Sequence, residues 1–104
     1  MVRNSNQRQV LVVGNDSQIR WLLSSSLSAQ RYAIISAHDG KEAIEIMRGW
    51  QPDIIIIELD MADMSGIELC QHIRTESQVP IIVLSTRQQE RDKVEVLDAG
   101  SNGV

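Results

Sequence analysis

Three runs of four residues, Val10-Leu11-Val12-Val13, Ile54-Ile55-Ile56-Ile57 and Ile81-Ile82-Val83-Leu84, are apolar at every position and mostly β-branched. A strand with one face in water alternates apolar and polar side chains. An unbroken apolar run therefore predicts a strand covered on both faces, as in a parallel sheet flanked by helices. Ala33-Ile34-Ile35 is a shorter run of the same kind and is placed nearer an edge. Between the runs the period changes. Ile19, Leu22, Leu23 and Leu27 recur at spacings of three and four, as do Ala43, Ile46 and Met47, and Ile67, Leu69, Cys70 and Ile73, with a sparser stripe at Val94 and Leu97. That spacing lines one face of a helix. Asp39-x-x-Glu42, Ser65-x-x-Glu68 and Thr86-x-x-Gln89 read as capping boxes that start helices, and Asn15-x-x-Gln18 as a weaker one. Pro52 and Gly100 stand where helices stop.

The predicted order is β-α-β-α-β-α-β-α without linker or repeat, which right-handed crossovers wind into one doubly wound α/β domain over residues 1–104. Such sheets carry their chemistry in the crevice at the carboxyl ends of the strands. Those ends hold Gly14-Asn15-Asp16, Glu58 with Asp60, and Ser85-Thr86. A fifth strand and helix are missing from the pattern. The edge beyond the fourth strand is therefore expected to lie open and to be covered by a partner, or by self-association or element exchange with a second copy.

Composition narrows the function classes. Ten Lys and Arg against fourteen Asp and Glu give a net charge of −4, without the basic face of a nucleic-acid module. The single cysteine, Cys70, forms no internal disulfide and suits a reducing, cytoplasmic setting. The longest apolar run is four residues, so no membrane span is expected, and the leader from Met1 to Arg8 has no apolar core of a signal peptide. The turn Gly14-Asn15-Asp16-Ser17 is neither a Walker loop nor a GxGxxG fingerprint, which sets aside an enzyme or a nucleotide or flavin binder.

An ordered set of segments carries a resemblance. It comprises Val10-Leu11-Val12-Val13 with its polar turn, Ile19-Arg20-x-Leu22-Leu23, Asp39-Gly40-Lys41-Glu42-Ala43 and Pro52-Asp53-Ile54-Ile55-Ile56-Ile57. It continues through Met64-Ser65-Gly66-Ile67-Glu68-Leu69, Val79-Pro80-Ile81-Ile82-Val83-Leu84-Ser85, Asp92-Lys93-Val94 and Leu97-Asp98-Ala99-Gly100. The chain resembles the response-regulator receiver domains of two-component signalling. Its stretch from Val79 to Gly100 is most similar to the OmpR/PhoB class, and within it to KdpE-type regulators of potassium transport. The resemblance implies a flavodoxin-like parallel sheet of order 2-1-3-4(-5). It also implies a phosphorylation switch, in which a sensor histidine kinase phosphorylates an aspartate ending the third strand. Mg²⁺, held by an acidic pair after the first strand, neutralises the phosphoryl oxygens. A Ser or Thr after the fourth strand and a Lys after the fifth bind the phosphoryl group, and an aromatic on the fifth strand follows.

Carried over residue by residue, the acidic pair falls on Gly14 and Asn15. Gly14 has no side chain and Asn15 one neutral carbonyl, whereas Mg²⁺ favours anionic oxygens in octahedral geometry. Asn15 is read first as a helix N-cap, and Asp16, one residue late, as a rescue ligand only if the turn shifts. The acceptor position holds Glu58, whose extra methylene displaces the reacting oxygen by about 1.5 Å, an error of a size that costs on the order of a hundredfold. Glu58 is read as an inert placeholder, with a fixed active-like mimic and a true acceptor as alternatives. Asp60 matches the position that lends a backbone carbonyl to the metal, and Ala62 replaces the usual proline. Ser85 keeps the phosphoryl-binding hydroxyl, and Val104 falls at the switch aromatic. The Lys position lies past Val104. The expectation is a receiver without Mg²⁺ that is independent of phosphorylation and binds a kinase or another signalling protein. The alternative is the receiver portion of a KdpE-like transcription regulator, reaching DNA only through an effector domain absent here. Trp21, off its helix stripe, and Trp50, in a turn, are candidate partner anchors. His38 and His72 read as surface histidines, and Cys70 as a buried small hydrophobe.

Overall fold

The apolar runs lie in the interior of the sheet. The structure, a computed structural model, describes the backbone of residues 7–87 and 90–97 and the side chains of residues 7–85. Its elements are β1 (Gln9–Val13), α1 (Ser17–Ala29), β2 (Ala33–Ala37), α2 (Gly40–Met47), β3 (Ile54–Glu58), α3 (Gly66–Arg74), β4 (Ile81–Arg87) and β5 (Glu90–Leu97). The sheet order is β2-β1-β3-β4-β5. The first three pairings are parallel, with Val13 opposite both Ala37 and Ile57, and Glu58 opposite Leu84. The pattern predicts a doubly wound parallel sheet with helices on both faces, and the 2-1-3-4 order is the flavodoxin-like one that the resemblance implies.

The two faces bury separate cores. Leu11, Val13, Ile55, Ile57, Ile81 and Val83 pack with Ala43 of α2 and Leu69, Cys70 and Ile73 of α3. Val10, Val12, Ile56 and Leu84 pack with Leu23 and Leu27 of α1. Strand alternation sends odd-numbered and even-numbered residues of β1 to opposite faces, so each face receives its own apolar set. Two helices cover the first face. On the other, no residue of α1 is fully buried, and Leu22, counted in its apolar stripe, is 56% exposed beside Trp21 at 70%. Trp50 packs partly against the α2–α3 core, which removes it as an exposed anchor.

The helix starts follow local chemistry. Ser65 and Glu68 form the full reciprocal box, each side chain accepting the other's N–H at 3.1 Å. Asp39 caps α2 through the Glu42 N–H at 2.8 Å, while the Glu42 carboxylate takes the N–H of His38, one residue early. At α1 the cap is Asp16 rather than Asn15, its carboxylate accepting from the N–H groups of Gln18 and Ile19. The physical reason is register. A helix beginning at Ser17 places its second and third free N–H groups within reach of residue 16, not 15. The helix ends in a Schellman turn, with Tyr32 N–H to Leu27 O at 3.1 Å and Arg31 N–H to Ser28 O at 2.9 Å. Arg31 takes the left-handed position at φ 68°, where glycine is usual.

Residues 90–97 depart from expectation. The Val94/Leu97 spacing predicts a fourth helix, but this segment returns as β5, antiparallel to β4, with Val96 opposite Leu84 and Val94 opposite Thr86. Val94-Glu95-Val96 alternates as a strand does, and a hairpin is the shortest way to satisfy the peptide edge of β4. The edge expected to lie open beyond β4 is thus paired within the chain, and the Thr86-x-x-Gln89 box starts no helix because Thr86 lies within β4. Gly100 and Val104 lie outside the described residues.

Candidate functional site

Three chain segments meet at the carboxyl end of β3. Glu58 is the last residue of that strand and is 8% exposed. Its carboxylate Oε2 accepts the backbone N–H of Asp16 at 3.1 Å, linking β3 to the β1–α1 turn. Burial lifts the Glu58 carboxyl above its ordinary pKa, and the charges of Asp16 and Asp60 push the same way. The Asp16 N–H and the positive charge of Arg20 oppose the shift.

Gly14 explains how a glutamate fits. A Cβ on Gly14 would lie 1.6 Å from Glu58 Oε2 and 2.4 Å from its Cδ, so the carboxylate stands in the volume a side chain at position 14 would use. The Gly14 N–H donates to Ala37 O at 3.0 Å, and its carbonyl accepts from the Arg20 guanidinium. On the other side, a Cβ on Gly66 would lie 2.5 Å from the Glu58 carbonyl oxygen, so α3 begins against the strand end only because its first residue lacks a side chain.

The remaining candidates are spread around this point. Asn15 and Asp16 are exposed, and the Asp16 carboxylate is engaged in capping α1. Asp60 is exposed in the loop after β3, and Ala62 is exposed two residues on. Ser85 is 7% exposed within β4. Leu84 stands opposite Glu58 and packs on the α1 side with Ile56, while Val83 packs on the α2–α3 side. Alternation therefore directs Ser85 and Glu58 to opposite faces of the sheet. Among the described residues, no group of three or more His, Cys, Asp or Glu side chains gathers as a metal site. No helix among them is long and apolar enough to cross a membrane.

Two residues at this end have no assigned role in the sequence reading. Arg20 reaches back from α1 to the Gly14 carbonyl. Its one sequence signal is its place in the Ile19-Arg20-x-Leu22-Leu23 segment. Asp63, in the β3–α3 loop, accepts the N–H groups of Gly40 at 3.1 Å and Lys41 at 2.8 Å, tying that loop to the start of α2. Burial acts to raise its pKa, but these N–H groups win and hold it below the ordinary value. No local pattern announces a cap supplied from 23 residues away. The two histidines sit outside this cluster. His38 pairs with Glu42 at 2.5 Å, and His72 is exposed on α3. Cys70 is fully buried.

Against known proteins, the model of the response regulator receiver domain matches residues 10–104. The uncharacterized transcriptional regulatory protein YrkP of Bacillus subtilis is 42% identical over 94 residues, 90% of this chain and 40% of the relative. The response regulator MprA of Mycobacterium tuberculosis is 36% identical over 95 residues, 90% of this chain and 41% of the relative. This chain thus spans about 40% of the length of these curated relatives. Among solved structures, the response regulator TrrA of Thermotoga maritima, in complex with Mg²⁺-BeF, superposes with a TM-score of 0.74 at 30% identity, covering 84% of this chain and 76% of that one. The chemotaxis response regulator CheY4 of Vibrio cholerae gives 0.74 at 31% identity, over 84% and 75%.

Proposed function

The chain belongs to the response regulator receiver domain family of two-component signalling, and from that premise we propose that it is an atypical receiver that works by binding rather than by accepting a phosphoryl group. The observation that carries this reading is the state of Glu58. Its carboxylate is turned inward onto the Asp16 N–H instead of standing free at the strand end. The donor set points the same way. Gly14 and Asn15, at the acidic-pair positions, supply no carboxylate, and the Asp16 carboxylate is spent on the helix cap. A dication placed there would have to break the cap or evict Glu58. The partner is a sensor kinase or another signalling protein, met in the cytoplasm through the receiver's surface rather than its acceptor site.

Intact-mass spectrometry after incubation with acetyl phosphate and Mg²⁺, beside a Glu58→Asp variant, tests the reading. Neither protein is expected to gain a phosphoryl group. A gain by the variant alone would make Glu58 the only obstacle, and a gain by the native chain would overturn the reading.

The relatives support a second, compatible reading at the scale of a longer protein. YrkP is named a transcriptional regulatory protein and is more than twice as long as the matched segment. We propose on that basis that this receiver gates a DNA-binding effector domain, with KdpE-like regulators as the narrower expectation. Sequencing the reading frame beyond Val104 decides it: a winged-helix pattern supports the proposal, and an immediate stop ends it.

A further inference from the structure

We infer that Gly14 and Glu58 form a single interlocked unit: the carboxylate from position 58 fills the space of the side chain that position 14 lacks, and closes the crevice to a divalent cation. This rests on the proposed binding role of the receiver and explains it sterically. The two residues lie 44 positions apart in the chain, on the ends of neighbouring strands, with Val13 opposite Ile57. A Cβ at position 14 would meet three consecutive atoms of the Glu58 arm, Oε2 at 1.6 Å, Cδ at 2.4 Å and Cγ at 2.6 Å. The backbone of Gly14 lies outside the left-handed region, and the three atoms nearest to a Cβ there all belong to Glu58.

The carboxylate is also held in place. The Asp16 N–H donates to the same Oε2 that fills the gap, and Arg20 is anchored at the Gly14 carbonyl, where its charge favours an ionised Glu58. The crevice thus carries its own cation, a guanidinium supplied by α1. An aspartate at 58 is one methylene shorter, and a side chain at 14 would take the vacated volume. Either arrangement fills the crevice, but the present Glu58 conformer and a side chain at 14 exclude each other. The disagreement with the Mg²⁺ site implied by the family is therefore built into a matched pair of positions rather than into one lost ligand.

The test is a double-substitution cycle on the whole chain, read by thermal or urea unfolding, with Mn²⁺ titration of the native protein followed by amide NMR. Gly14→Ala is expected to lower the folded-to-unfolded ratio by roughly tenfold more in the native background than in a Glu58→Ala background, the size expected for residues in direct contact. It should also shift the Asp16 amide resonance in the native background alone. Effects that add to within about twofold would overturn the inference. So would failure of Gly14→Ala to fold in both backgrounds, whereas folding only when Glu58 is also replaced supports it. Mn²⁺ is expected to leave the Asp16 and Leu59 amides unbroadened, and selective broadening there would overturn the closure. Phosphoryl transfer to native Glu58 would defeat the functional reading but leave the unfolding cycle intact, so the two failures are distinguishable.

Discussion

At the scale of single residues, the protonation of Glu58 has a sign that can be worked out. Its carboxyl titrates above the ordinary value because burial penalises the charge more than the Asp16 N–H and Arg20 reward it. The folded state therefore holds the proton to higher pH than the unfolded state does. Stability falls as pH rises from the ordinary glutamate range through the raised native value, and the full penalty persists above it. Glu58→Gln keeps a carbonyl oxygen for the Asp16 N–H and removes the charge. It is expected to unfold at a temperature equal to or above that of the native chain at pH 7.5, with the gain vanishing near pH 4. A clear loss of stability at pH 7.5 would show that the Arg20 charge outweighs burial. Much of this position was legible beforehand. The apolar runs alone put Glu58 and Gly14 at strand ends, and the strand order implied by the resemblance sets them side by side. That one residue occupies the other's space was not legible, because it depends on side-chain direction at a contact 44 residues long. The neighbouring cap was misplaced by one residue because both Asn15 and Asp16 are good caps, and only the start of α1 chooses between them.

Among the elements, β1, β3 and β4 were readable because a doubly buried strand leaves an unbroken apolar run. The helices α2 and α3 were readable because their caps are local. Residues 90–97 were not. Their apolar positions suit both periods, and the long-range pairing with β4 decides between them. The tether on α2 is long-range in the same sense. Asp63 serves two N–H groups of a helix it does not belong to. Asp63→Ala is expected to destabilise the chain by about 1 kcal/mol at neutral pH, the usual worth of a helix-start acceptor. Because the native pKa of Asp63 is depressed, this contribution is complete above the ordinary aspartate range and is lost as pH falls through the native value. Unfolding of the variant and the native chain, compared at pH 7 and at pH 3, checks both the size and the direction.

At the scale of the whole molecule, the described residues are lopsided: among them two helices bury one face of the sheet, whereas α1 on the other keeps every residue at least partly accessible. Leu69, fully buried, and Leu22, largely exposed, mark the contrast. Leu69→Ala is expected to cost about 2–5 kcal/mol, as deletions in a closed core do, and Leu22→Ala about 0.5 kcal/mol or less. Denaturant midpoints for the two variants test this, and equal losses would mean that the α1 face is as closed as the other. The heavier face also holds the only thiol. Cys70 is 0% exposed among Leu69, Ile73 and the sheet, and burial raises its pKa, so little reactive thiolate reaches solvent while α3 stays docked. Its alkylation must wait for α3 to lift from the sheet. The rate of irreversible thiol capture, divided by the rate for a free cysteine, then equals the fraction of time this face stands open. The protein carries a clock for its own breathing, and one unmodified atom is enough to read it.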